Sequence, residues 1–227
     1  MEEWLEERRR AVDRLIADGT LKSKSSIRAM LSVPREEFLP DDVKQYAYTD
    51  TPLPIGYGQT TSAIHMTAMI CEYTGMKIGH RVLEVGGGSG YMSCVYAEVV
   101  APGDAPREKW GHVWSVEIIK ELAERARIDI ERAGYADRVT MIHGDASEGL
   151  SENGPYDVIA VTSAAPDIPD ALKEQLALGG TLLIPVGDIS FYQTLVRVRK
   201  LPNGKTVKEN IGSVAFVPMR GKKGWHD

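Results

Sequence analysis

From Arg81 onward the sequence alternates short runs of β-branched and aliphatic residues with longer amphipathic stretches, and this alternation most limits what the chain can fold into. "RVLEVG" (81–86), "HVWSVE" (112–117), "RVTMIHGD" (138–145), "YDVIAVTS" (156–163) and "GTLLIPVG" (180–187) read as strands. Between them, 91–99, 118–133 and a stretch near 168–177 carry helical spacing of apolar residues. Such alternation needs crossover connections, and it implies a mostly parallel, doubly wound α/β sheet of Rossmann-like type. The end of the pattern differs. "FYQTLVRVRK" (191–200) alternates with period two and runs into the turn signal Pro202-Asn203-Gly204, so the C-terminal strands are expected to be antiparallel.

Ahead of this core, the spacing of Trp4, Leu5, Ala11, Val12, Leu15 and Ile16 predicts a helix over 2–18, and a second helix is expected over 25–32. Residues 34–62 hold four prolines and two glycines and read mainly as ordered loop, followed by a helix over 63–73. At 227 residues one domain is expected, with N-terminal helices and a substrate loop in 1–75 and a cofactor-binding core in 76–227. The net charge of -5 argues against a nucleic-acid partner, which calls for clustered Lys and Arg. No apolar run approaches the roughly 20 residues of a membrane helix, and the charged start lacks the apolar core of a signal peptide. Cys71 and Cys94 form no CxxC, and the five histidines have no metal-ligand spacing. A cytoplasmic, monomeric protein without a metal is the expectation.

"VLEVGGGSGY" sets Gly86, Gly88 and Gly90 between a strand and a helix, where the turn must reach positive φ and let a ligand approach the backbone. A dinucleotide fingerprint would need glycine where Tyr91 stands, and no Gly-Lys-Ser/Thr follows to make a phosphate-binding loop. The spacing is GxGxG, the pattern associated with S-adenosylmethionine. Glu84, just before the turn, joins the candidate cofactor contacts. Glu117, ending the second strand, suits ribose hydroxyls, and Asp145 with Ala146 after the third strand suits the adenine. Strand ends of successive parallel strands line one crevice, so the glycine turn, Glu117 and Asp145 are expected together.

"PLPIGYGQTTSAIHM", "VLEVGGGSGYMS" and "TSAAPDIPDALKEQLALGGTLLIPVG", in that order, resemble the protein-L-isoaspartate O-methyltransferases. Agreement runs from about Ser25 to "FVPMRG" near the end, with "VPREEF" (33–38) and "AYTDTPLPIGYGQTTS" the most specific parts. The resemblance implies transfer of methyl from S-adenosylmethionine to the free carboxylate of isoaspartyl residues in damaged proteins and peptides, with S-adenosyl-L-homocysteine as product. The ester then collapses unaided to a succinimide that partly reopens as aspartate. The chain departs from the family pattern at Gly87 (usually Thr), Ile64 (usually Pro) and Ala146 (usually Gly), and 101–112 is a longer connection than expected.

The chemistry accounts for the polar, charge-free loop "PIGYGQTTSAIHM". A carboxylate with a pKa of about 4 is already ionised at neutral pH and needs no general base. The enzyme has to align nucleophile and donor in a dry site, an effect worth up to about 7–11 kcal/mol. An Asp or Glu beside the nucleophile would repel it, whereas hydroxyl and N–H donors hold it. The resemblance points to Ser62 as the active-site residue, and its hydroxyl suits orientation of the substrate carboxylate rather than nucleophilic attack. The competing reading is that Ser62 caps the following helix. Gln59, Thr60 and Thr61 are candidate neighbours, and Ile55 and Tyr57 candidate contacts to peptide backbone. His65 reads as a packing or hydrogen-bonding residue.

Three alternatives remain open to the residues alone. A base-methylating enzyme would show Asn/Asp-Pro-Pro-aromatic where this chain has "TSAAPDIP" (162–169), which counts against it. A carboxyl methyltransferase of a dedicated peptide or small molecule, and a non-catalytic adaptor for isoaspartyl or imide groups, are the other two. Intact Glu117, Asp145 and glycine turn favour catalysis over the adaptor.

Overall fold

The computed structural model describes residues 2–188 and 190–225. Its centre is a seven-stranded sheet. The strands are β3 (Arg81–Val85), β4 (His112–Glu117), β5 (Val139–His143), β6 (Tyr156–Val161), β7 (Leu176–Val186), β8 (Gln193–Lys200) and β9 (Thr206–Val214). They lie in the order β5-β4-β3-β6-β7-β8-β9. The first five are parallel to their neighbours and the last two pair antiparallel, as the period-two pattern and the Asn203-Gly204 turn imply. β3 starts the core in the middle, the chain winds to one edge through β5, and then returns to β6 on the other side. This order reversal puts a crevice at the C-terminal ends of β3 and β6.

The period of two along β3 decides what each face holds. Val82 packs with the helices α3 (Ile64–Thr74), α4 (Tyr91–Val100) and α5 (Lys120–Arg132). Leu83 and Val85 point the other way, into a smaller cluster closed by Ile168, Leu172 and Met219. Leu172 belongs to α6 (Asp170–Glu174), the one helix on that side. Ala11, Val12 and Leu15 of α1 (Glu2–Ala17) and Ala29 and Met30 of α2 (Lys24–Ser32) extend the larger core outward. A buried network ties this extension down. Arg8 donates from Nε to the Tyr48 hydroxyl at 2.7 Å and from Nη2 to Glu36 at 2.9 Å, and the Tyr48 hydroxyl donates to Glu36 in turn.

Two segments differ from the expectations, and a third is placed by the structure. Residues 34–62 are not simple loop: two 3-10 turns lead into a small antiparallel hairpin of β1 (Leu53–Gly56) and β2 (Gln59–Thr61). The helix expected near 168–177 is only α6, because Leu176 already pairs with Tyr156 and the strand continues past an irregularity near Gly179 to Val186. The long connection 101–112 joins α4 to the start of β4, so it lies at the opposite end of the sheet from the crevice. There Trp110 donates to the carbonyl of Ala105 at 3.0 Å and packs under the guanidinium groups of Arg107 and Arg138.

Candidate active site

The crevice is built from strand ends. Val85-Gly86-Gly87-Gly88 leaves β3, Glu117 ends β4, Gly144 to Ser147 follow β5, Thr162 and Ser163 follow β6, and the β1–β2 hairpin with Ser62 closes one side. Val217 to Arg220 complete the wall. Of the residues singled out in the sequence, Ile55, Gln59, Thr60, Thr61, Ser62, Glu84, Gly86, Gly88, Glu117, Asp145 and Ala146 all line this one cleft. Two do not. Tyr57 sits at the hairpin tip with φ 55° and is 55 % exposed. Gly90 opens α4, and a Cβ there would lie 3.0 Å from Ile130, so it serves the close approach of α4 and α5.

The glycine turn is shaped by contact as much as by dihedral. Gly86 has φ 98°, and a Cβ on it would come within 2.5 Å of the Thr162 hydroxyl. That hydroxyl donates to the Gly86 carbonyl at 2.6 Å and binds the turn to the end of β6. Gly87 is tightly enclosed: a Cβ would meet Ser115 Oγ at 2.4 Å and the Met141 methyl at 2.8 Å, so the threonine of the expected pattern would enter only if those side chains moved. The space is filled from neighbouring strands instead.

Three carboxylates face the cleft, each braced differently. Glu84 is on the helix-facing side of β3, fully buried, and one of its oxygens accepts from Ser115 Oγ at 2.6 Å and from Ser93 Oγ. Its Oε1 is buried without a hydrogen-bond partner among the described residues. Burial, helped slightly by Glu117, pushes this carboxyl up to about 7 against the two serine hydroxyls. Glu117 accepts from the amides of Gly88 and Ile119, each at 2.9 Å, one on each oxygen. Asp145 accepts from the amide of Ser147 at 2.8 Å and from that of Lys222 at 2.9 Å. These backbone donors outweigh its partial burial and hold its carboxyl below the usual range. Gly221 presses on the same group: it has φ 103°, and a Cβ would lie 2.2 Å from Asp145 Oδ1.

An acceptor-rich cleft of this kind suits a ligand that brings cations and hydrogen-bond donors. Among the described residues Arg220 is the only basic one along it, so a pyrophosphate would face three carboxylates with little to offset them. S-adenosylmethionine carries an ammonium, a sulfonium, ribose hydroxyls and an adenine amine, and the unpartnered Glu84 oxygen is an acceptor open to such an ammonium.

Beside the cleft lies a second cavity, and the wall between them is shared by Thr60, Ser62, Thr162 and Val217. Ser62 does not cap α3. The cap position is Ala63, and the acceptor for the exposed first-turn amide is Asp50, which takes the His65 N–H at 3.0 Å and faces His65 Nδ1 at 2.8 Å. The Ser62 hydroxyl makes no hydrogen bond among the described residues, which leaves it available to a ligand. His65 is engaged at the surface by Asp50, as a hydrogen-bonding residue.

The whole chain can be set against known families on this footing. The sequence profile of the protein-L-isoaspartate(D-aspartate) O-methyltransferases matches residues 6–224. The chain belongs to that family. A protein-L-isoaspartate O-methyltransferase of Hyperthermus butylicus is 56 % identical over 227 residues, covering 100 % of this chain and 94 % of the relative. One from Methanothermobacter thermautotrophicus is 49 % identical, covering 97 % and 98 %. Among solved structures, a Plasmodium falciparum protein-L-isoaspartate O-methyltransferase in complex with S-adenosyl-L-homocysteine has a TM-score of 0.80 at 27 % identity, covering 92 % of this chain and 96 % of that one. A further protein-L-isoaspartate O-methyltransferase has a TM-score of 0.83 at 31 % identity over 95 % of this chain and 66 % of its own. The family indicated by the N-terminal signature is thus the one found.

Thr162, Ser163 and the 217–220 segment were not among the sequence candidates. The signal for the first two was present, since they end a predicted strand beside the crevice. The third was visible only as part of the family resemblance, because nothing local in "VPMR" marks a ligand wall.

Proposed function

We propose that this chain transfers the sulfonium methyl group of S-adenosylmethionine to the free carboxylate of isoaspartyl residues in damaged proteins and peptides, and so starts their repair. The observation that carries the reading is the wall shared by two cavities, with the Ser62 hydroxyl on it and no competing partner for that hydroxyl. S-adenosylmethionine, when bound, supplies an electrophilic methyl group and leaves as S-adenosyl-L-homocysteine.

The residues divide the work as follows. Glu84 Oε1 takes the ammonium, and each Glu117 oxygen, having spent one lone pair on a backbone amide, has another for a ribose hydroxyl. Asp145 and Ala146 hold the adenine end, and Gly86 and Gly88 let the ligand lie against the backbone. Ser62, assisted by Thr60 and Thr61, orients the acceptor carboxylate from the second cavity toward the cleft. Gln59 and Ile55 support this position from the hairpin, and Tyr57 stands at its tip where a protein substrate would arrive. No Asp, Glu, Lys or Arg lines the second cavity among the described residues. The carboxylate is therefore neither repelled nor locked into a salt bridge, and it keeps its nucleophilicity. No proton has to move, because the acceptor arrives ionised.

The test is incorporation of labelled methyl from S-adenosylmethionine into two synthetic peptides that differ only in isoaspartate or aspartate at one position. Base-labile label on the isoaspartyl peptide alone is the expected result. Label on neither, with S-adenosylmethionine still bound, would refute the assignment.

A further inference from the structure

The second cavity is larger than one carboxylate requires, and its composition says what else enters it. Beyond Thr60, Ser62 and Thr162 its lining is mostly apolar, with Pro52, Met66, Val214, Phe216 and Val217, Tyr192 at the rim, and His65 and Ser213 as the further polar members. This is a surface for an uncharged, apolar side chain. Beyond Ser62, a charged side chain placed there would meet mostly apolar groups, since the His65 ring is already engaged by Asp50.

The rim carries an unusual pair. Phe191 is 75 % exposed and Tyr192 80 % exposed, consecutive in the chain, and large aromatics standing in water beside a cavity mark a recognition surface. Their backbone is fastened to the cavity wall. Gln193 is buried, and its Nε2 donates to the carbonyls of Phe191 at 3.0 Å and Asp188 at 3.3 Å, while its Oε1 accepts from the Phe216 amide at 2.8 Å. One amide side chain thus binds the aromatic loop to the strand end that forms the cavity's far side. The aromatic pair is presented at a set position relative to Ser62.

We infer that Tyr192, flanked by Phe191, is a specificity-determining ledge that binds an apolar side chain adjacent to the isoaspartyl residue, with Phe216 and Met66 as the opposing wall. The inference rests on the proposed reaction only in naming the central residue of the peptide. Its occupant is the substrate's neighbouring side chain, because the cavity is continuous with the site where the acceptor carboxylate meets Ser62.

Two synthetic isoaspartyl peptides test this, one with leucine and one with alanine on both sides of the isoaspartate. Binding of each, labelled with a fluorophore, is measured by anisotropy with S-adenosyl-L-homocysteine present, and methylation is measured separately. The wild type should bind the leucine peptide about tenfold more tightly. Tyr192→Ala should bring the leucine peptide down to the alanine peptide's affinity, leave the alanine peptide within twofold, and leave S-adenosylmethionine binding unchanged. Because Tyr192 is exposed, its truncation does not threaten folding. Equal binding of the two peptides by the wild type would overturn the ledge, as would a Tyr192→Ala variant that weakens both peptides alike. Preference for the leucine peptide without methylation of either would support the ledge while refuting the reaction.

Discussion

Replacing Glu84 by glutamine should make the free protein more stable at neutral and alkaline pH while weakening its grip on S-adenosylmethionine. Glu84 is fully buried, and desolvation raises its carboxyl from an ordinary 4.5 to about 7. An interval of about 2.5 pH units at about 1.4 kcal/mol each gives about 3–4 kcal/mol for keeping that charge buried. The sign follows from proton counting. Between pH 4.5 and 7 the folded protein holds a proton that the unfolded chain has released, so stability falls as pH rises through this window, and the full cost is present above 7. Glutamine has no charge to bury and can still accept from Ser93 and Ser115. Urea denaturation of Glu84→Gln and wild type at pH 5, 6, 7 and 8 should therefore show a gap that widens in the variant's favour toward about 3 kcal/mol. The widening is the diagnostic quantity, since a constant offset could come from altered packing. Calorimetric titration at pH 8 should show S-adenosylmethionine binding weakened by about tenfold or more, the loss expected for a hydrogen bond to a charged group. A gap that does not change with pH would refute the buried-charge argument, and unchanged affinity would refute the role given to Oε1.

Ser62→Ala should lower kcat on an isoaspartyl peptide by about tenfold to hundredfold and leave the S-adenosylmethionine Kd within twofold, since one donor to a charged group is lost on the acceptor side. Gly221→Ala should weaken S-adenosylmethionine binding by about tenfold, because its Cβ would displace the Asp145 carboxylate. Gly204→Ala, at φ 79° with open space around it, carries similar backbone strain and should not affect binding in the same calorimetric assay. Arg8→Leu should destabilise the protein by about 3 kcal/mol in urea denaturation, because it leaves Glu36 buried beside Tyr48 without its cation.

How much of this was legible depended on whether the determinant was local. The glycine turn, Glu117 and Asp145 could be placed from strand ends alone, since parallel topology brings such ends together. The prolines and glycines of residues 53–61 predict loop, yet two strands of four and three residues suffice once Ile55 packs against the glycine turn. The cap of α3 was out of reach, as Asp50 reaches its amide from 15 residues upstream. Ile168, Leu172 and Leu176 recur at every fourth position and predict a helix near 168–177, which is shorter in the structure because pairing with β6 takes Leu176 into the sheet. Position of the 101–112 connection was legible in principle: a segment that enters β4 must lie at the strand's N-terminal end.

The packing around Gly87 has a consequence for how such sequences can change. Threonine at this position collides with Ser115 and Met141, and Ser115 is already committed to Glu84. A change to threonine taken first would disturb the cofactor turn and the buried carboxylate together. A smaller residue at 141 taken first removes one of the two collisions and leaves a cavity, while Ser115 must still turn away before a larger residue can stand at 87. Positions 87, 115 and 141 are thus epistatic, and the order in which they can change is constrained by which intermediate can still fold.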